Sequence, residues 1–135
     1  MNKALCACLL VIISVSFAQG AEIYRGQLYC DTSNALAAIP RIVDFKVTVD
    51  GSRATYSQLP TQAAKEVALL DQGTGTVSAD QIKMAGGGST ATWHVKSTYI
   101  GAFSSRGLAI AGTQTWAGGD LAKSVSRTCE AFLVR

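Results

Sequence analysis

Four cysteines, one histidine and a scatter of single carboxylates are the residues of this chain whose types could do chemistry. His94 is the only histidine. As a general base or a metal ligand it needs a nucleophile, a carboxylate or further ligands beside it, and the local sequence, Trp93-His94-Val95, supplies none. No CxxC, HxH or HExxH spacing is present, so no metal is expected. The carboxylates are isolated from one another along the chain, and Asp50, Asp80 and Asp120 fall in turn-like sequences where aspartate serves the local backbone. Gly86-Gly87-Gly88-Ser89 lacks the Lys-Ser/Thr pair and the helix of a phosphate loop, and reads as a flexible hairpin connector. These residues predict no catalytic site and no cofactor.

The cysteines gain a meaning once the start of the chain is read. Residues 1–20 have the form of a secretory signal peptide: Lys3, then the apolar run Ala4 to Phe17, then small residues that permit cleavage after Ala18 or after Gly20. The apolar run is too short for a transmembrane span, and none is expected in the mature protein. Leu5-Cys6-Ala7-Cys8 is similar to a lipoprotein cleavage box, but too few residues precede Cys8 for the required hydrophobic segment. Export to the periplasm or beyond is the expectation. Cleavage removes Cys6 and Cys8 and leaves Cys30 and Cys129 in a compartment that permits disulfides. A Cys30–Cys129 bridge is therefore expected, with two free buried thiols as the alternative.

What remains, residues 21–135, is one domain-sized chain. Its formal charge of +3 falls to about +2 without Lys3, and its basic residues are dispersed among acids. A nucleic-acid footprint needs a clustered basic face. No nucleic-acid partner is expected.

The elements that must position these residues follow a period of two. Val43, Phe45, Val47 and Val49 alternate with Asp44, Lys46 and Thr48, and Asp50-Gly51 then signals a hairpin into Arg53–Gln58. Tyr24–Cys30, Gly73–Ser78, Gln81–Ala85, Thr90–Phe103, Leu108–Trp116 and the terminal Arg127–Arg135 read as further strands, with a short Leu121–Ser126 segment before the last. The intervening turns are rich in glycine and aspartate. Asp31–Pro40 reads as a loop with one helical turn at Asn34–Ala38, and Lys65–Asp71 fits a strand or a helical turn equally well. Gly112 marks a bulge or a close backbone approach. About eight strands without a long helix predict an all-β, antiparallel eight-stranded small barrel, with a β-sandwich as the alternative. Joining the first and last strands favours closure, because it unites two otherwise open edges.

The ordered motifs Tyr24–Asp31 (Y-R-G-x-L-x-C-D), Gly73–Ile82 (G-T-G-T-V-x-x-D-x-I), Leu108–Trp116 (L-x-I-x-G-T-Q-x-W) and Arg127-Thr128-Cys129 resemble a family of small secreted domains of Gram-negative bacteria. Such domains stand alone behind a signal peptide or are appended to larger enzymes. The resemblance implies a β-rich secreted module with a first-to-last-strand cysteine pair, and it carries over no catalytic residue. Tyr29-Cys30-Asp31 is also similar to the opening of periplasmic lysozyme inhibitors, small disulfide-bearing barrels whose further motifs are not found here.

Trp93, Tyr99, Phe103 and Trp116 lie on two strands expected to be hairpin neighbours. They form either a surface platform for a protein or saccharide, or the core of the barrel. The expected function is a monomeric, non-catalytic binding or inhibitory module acting on an envelope protein or cell-wall saccharide. The alternatives are a hydrolase whose carboxylates assemble in space, and a purely structural envelope protein.

Overall fold

The computed structural model describes residues 20–31, 33–59 and 71–135. The expected signal peptide up to residue 19, and the ambiguous Lys65–Asp71 segment except for Asp71 itself, lie outside the described residues.

Eight antiparallel strands close into a barrel in which each strand pairs with its neighbours in chain order. They are β1 (Glu22–Cys30), β2 (Ile42–Asp50), β3 (Arg53–Leu59), β4 (Gln72–Ser78), β5 (Gln81–Ser89), β6 (Trp93–Ser104), β7 (Gly107–Gly118) and β8 (Val125–Leu133). The sandwich alternative is thereby excluded. A single 3-10 turn at Asn34–Leu36 occupies the expected position in the β1–β2 loop.

Alternation dictates the two faces of the wall. Along β2, Val43, Phe45 and Val47 are buried while Asp44 is exposed, as period-two patterning requires. The β2–β3 connection is a two-residue turn in which Gly51 takes φ 60°, the sign that a type II′ hairpin turn demands of its first residue. The β4–β5 turn puts Ala79 in the same left-handed region, at φ 55°.

One expectation changes and one is decided. Gly86–Ser89 is not a flexible connector but the second half of β5, paired with β4 through Gly86 and Gly87 and with β6 throughout. Gly112 marks a close approach rather than a bulge, since the β6–β7 register runs unbroken through Tyr99↔Gly112. The reason is the same in both places. A Cβ at Gly112 would lie 2.5 Å from Tyr99 Cδ1, and one at Gly86 would lie 2.7 Å from Tyr56 Oη. The missing side chains let neighbouring backbone and inward rings come close in a narrow barrel. The terminal segments shift slightly as well: Thr90–Thr92 precede β6, and Leu121 belongs to the β7–β8 loop.

The interior is filled. Phe45, Tyr56 and Tyr99 pack with ring centroids 5.1–5.4 Å apart, among Leu28, Val47, Ile82, Leu108, Ile110 and Leu133. A second cluster of Leu36, Ile39, Val95 and Trp116 closes the end of the barrel that carries the longer loops. The opposite end carries the tight hairpins.

The seam between β1 and β8 is short. Leu28–Cys30 pair with Cys129–Ala131, and one further bridge joins Arg25 to Val134. Cys30 and Cys129 stand directly opposite one another in that register and form the disulfide, 99 residues apart in sequence. The bridge locks the strand pair that closes the barrel.

Candidate functional site

The chemistry-bearing groups of the interior converge on Asp71. This carboxylate enters just before β4, anchored by its carbonyl oxygen, which accepts the Gln58 N–H at 2.8 Å. It is completely buried. Oδ1 accepts from Ser97 Oγ at 2.5 Å and from Tyr56 Oη at 3.1 Å. Oδ2 accepts from Tyr99 Oη at 2.8 Å and, more weakly, from Gln114 Nε2 at 3.4 Å. Tyr56 and Ser97 hydroxyls also meet at 2.7 Å. Four donors from β3, β6 and β7 thus surround one acceptor group.

The chain of donors continues away from Asp71. Gln114 Nε2 donates to Tyr99 Oη at 3.0 Å, and Gln114 Oε1 accepts from Arg127 Nε at 2.9 Å and from Trp116 Nε1 at 3.2 Å. Arg127, itself buried, gives Nη2 to the Pro40 carbonyl at 3.0 Å and lies 5.6 Å over the Trp116 ring. Cys30 Sγ sits 3.8 Å from Gln114 Oε1. The disulfide sulfur has no proton to give, so that contact is one of packing alone. The network has a direction: Arg127 and Trp116 only donate, the carboxylate only accepts, and Gln114 and Tyr99 pass the polarity between them.

Burial sets the titration of these groups. Desolvation raises the Tyr56 and Tyr99 phenols well above the usual tyrosine range, and the nearby Asp71 charge pushes the same way. Burial also lowers Arg127 from its ordinary value, opposed by the charges of Tyr99 and Asp71. Among the described residues no buried side-chain nitrogen or oxygen is left without a partner. The arrangement is a satisfied, solvent-excluded polar core. Chemically it can hold strands in register.

The four aromatics singled out from the sequence do not form one surface. They share the inward parity of β6 and β7, but Tyr99 and Trp116 are buried, while Trp93 and Phe103 are half-buried at opposite ends. Trp93 packs edge-on to Trp116 at 6.3 Å, and Phe103 packs against Tyr24 at 5.5 Å. A barrel this narrow needs its bulky side chains inside. His94 is exposed on the outer wall between Ser89 and Ala117 in the register. Asp50, Asp80 and Asp120 are exposed at turns. Among the described residues no group of three or more histidine, cysteine or acidic side chains could hold a metal ion.

Sequence reasoning missed Asp71 and Arg127. Arg127 carried a signal, because it shares parity with Cys129, Ala131 and Leu133 on the inward face of β8. Asp71 carried none, since its partners lie at positions 56, 97, 99 and 114.

The outer wall holds a second feature. It is polar over most of its area, with Arg25, Asp44, Arg53, Lys83, Lys96 and Glu130 all exposed. No helix among the described residues is long and apolar enough to cross a membrane. On one stretch of β6, β7, β8 and β1, however, outward positions are apolar. Ala102, Ala109 and Ala111 floor a groove of about 750 Å³, between Ile100 on one side and Phe132 and Tyr29 on the other. Ile100 is 63% exposed, and Phe132 and Tyr29 are each 50% exposed. The groove continues toward the loop end past Thr98, Thr113 and Thr128 to Asp31 and Arg41.

These features define a closed, eight-stranded, disulfide-locked barrel with a filled interior and an apolar groove on its wall. Comparison with protein-family models, curated proteins and solved structures finds no significant match to this chain.

Proposed function

We propose that the protein is an exported, non-catalytic binding module that engages another protein surface through the groove on its outer wall. The observation that carries this reading is the exposure of Ile100, Phe132 and Tyr29 around an alanine floor on an otherwise charged wall. Contiguous exposed apolar surface of this kind marks interaction sites. Its mainly apolar lining, with few hydrogen-bonding groups, favours a protein partner over a saccharide. The enclosure of Asp71 by four donors supports a structural job for that carboxylate rather than an acid–base one.

A photo-crosslinking residue at Ala109, on the groove floor, tests the reading in the intact periplasm. Crosslinks to protein are expected from Ala109 and not from Thr76, an exposed position on β4. Equal labelling from both positions, or none from Ala109, would overturn the groove as a binding surface. Loss of a hydrolytic activity on substituting a single carboxylate would overturn the non-catalytic reading.

A further inference from the structure

Arg127 is the member of the buried network that borders a surface cavity. Its side chain is 6% exposed. Nε–H goes to Gln114 Oε1 at 2.9 Å and Nη2 to the Pro40 carbonyl at 3.0 Å. Nη1 has no protein partner among the described residues, and no buried side-chain nitrogen there lacks one. Nη1 is therefore the part of the guanidinium that opens outward, into a cavity of about 220 Å³ beneath the β1–β2 loop.

That cavity has two kinds of lining. Leu36 and Ile39, both buried, give it an apolar wall, and Asp31, Ser33 and Arg41 stand around it. The Ser33 hydroxyl makes no capping bond to the 3-10 turn that follows it. Asp31 accepts from Thr128 Oγ1 and pairs with neither arginine, since among the described residues the only ion pair joins Arg135 to Glu22.

A buried guanidinium with no carboxylate in contact is costly. Asp71 is linked to Arg127 only by way of Gln114. Burial lowers the Arg127 pKa, and the like charge of Arg41 pushes it the same way. Two guanidinium groups and one carboxylate around the cavity leave one positive charge in excess.

We infer that this cavity binds a carboxylate carrying a short apolar tail, with Arg127 Nη1 as donor, Arg41 as the second cation and Leu36 and Ile39 as the seat of the tail. A carboxylate on a guanidinium forms a charge-assisted hydrogen bond, stronger than a neutral one. The single excess positive charge matches a monoanion, and Asp31 at the cavity repels a dianion such as phosphate. The chemistry is that of a free short-chain acid or of the C-terminal carboxylate of a peptide. The site is separate from the wall groove and does not rest on it.

Nuclear magnetic resonance of the ¹⁵N-labelled, disulfide-intact exported protein tests the inference through the Arg127 Nε–H signal. Butyrate should shift that signal saturably, with half-saturation near ~1 mM, the weak end of specific binding. Phosphate at slightly alkaline pH should bind more weakly. Arg41→Gln should weaken butyrate binding about threefold, and Asp31→Asn should tighten it by a similar factor, the scale of an exposed charge pair. Both positions are exposed, and unchanged far-ultraviolet circular dichroism establishes that the variants fold. Acetyl-Ala-Ala as its free acid and as its amide separates the two sources. Tighter binding of the peptide acid than of butyrate supports a chain terminus, and the reverse supports a free acid. An amide that binds as well as the acid overturns the site. So does a shift that fails to saturate below ~100 mM, a hundredfold beyond the expected affinity. Phosphate binding tighter than butyrate, Arg41→Gln without effect, or Asp31→Asn that fails to tighten binding overturns it equally.

Discussion

Arg127 and Asp71 carry opposite charges inside one barrel, and Gln114 stands between them. Its carbonyl oxygen takes the guanidinium Nε–H at 2.9 Å, and its amide nitrogen reaches Tyr99 Oη at 3.0 Å and Asp71 Oδ2 at 3.4 Å. The amide, with an acceptor at one end and donors at the other, links a buried guanidinium to a buried carboxyl group that it does not touch. It also ties β7 to β8 and, through Asp71, to the strand β4 that follows.

Gln114→Leu should therefore cost far more than its volume change suggests. The substitution strands Arg127 Nε–H and Trp116 Nε1–H against an apolar side chain and removes two donors from the Tyr99–Asp71 pair. A loss of about 3 kcal/mol is expected from unsatisfied buried donors, one of them charged. Urea unfolding of the variant measures it, and a loss under 1 kcal/mol would show that the network is not a stabilising element.

The phenols define the alkaline limit of the fold. Tyr56 and Tyr99 hold their protons in the folded state well beyond the ordinary tyrosine value of about 10, at which the unfolded chain ionises. Folded-state pKa values above the unfolded ones give stability that is complete below pH ~10 and is lost as the pH climbs toward the folded values. Ultraviolet titration at the tyrosinate band should show two phenols ionising only together with the loss of near-ultraviolet circular dichroism. Smooth ionisation of all four tyrosines in a still-folded protein would contradict this.

Ala79 occupies a backbone conformation that suits glycine. At φ 55° its Cβ crowds the neighbouring carbonyl oxygen. Replacement by glycine relieves about 1 kcal/mol of local cost, partly offset by the greater freedom of glycine in the unfolded chain. Ala79→Gly is expected to leave the melting temperature unchanged or raise it by a few degrees. Ala79→Val, which adds branching at the same φ, should lower it.

The disulfide stabilises the closing seam. A bridge across 99 residues removes loop entropy worth on the order of 4–5 kcal/mol in the chain-entropy account. Cys129→Ser should lower the melting temperature by roughly ten degrees or more. Thiol labelling of the native protein without reductant should find no free cysteine. Because β1 and β8 share only three paired residues and one bridge, the variant should show faster amide exchange at Leu28–Cys30 than at the long β6–β7 ladder.

Much of this architecture is legible in the sequence, and the reason is local. Alternation in Val43–Val49 and Trp93–Phe103, with glycine and aspartate at the turns, fixes which side chains face inward before any tertiary contact exists. The same parity sets Gln114 in line with Leu108, Ile110 and Trp116 on the inward face of β7. Glycine-rich segments misled where the reason for glycine was a ring arriving from another strand. Gly86 reads as a flexible connector until Tyr56 is placed against it.

The sequence by itself determined an all-β chain and its hairpins, because alternation and turn chemistry act through near neighbours; the Cys30–Cys129 bridge is an expectation that the structure bears out. Only the tertiary structure decided that the sheet closes as a barrel, that Tyr99 and Trp116 are core rather than platform, and that Asp71 lies at the centre. Those relationships depend on register between strands far apart in the chain, and register is set by the packing of the whole barrel.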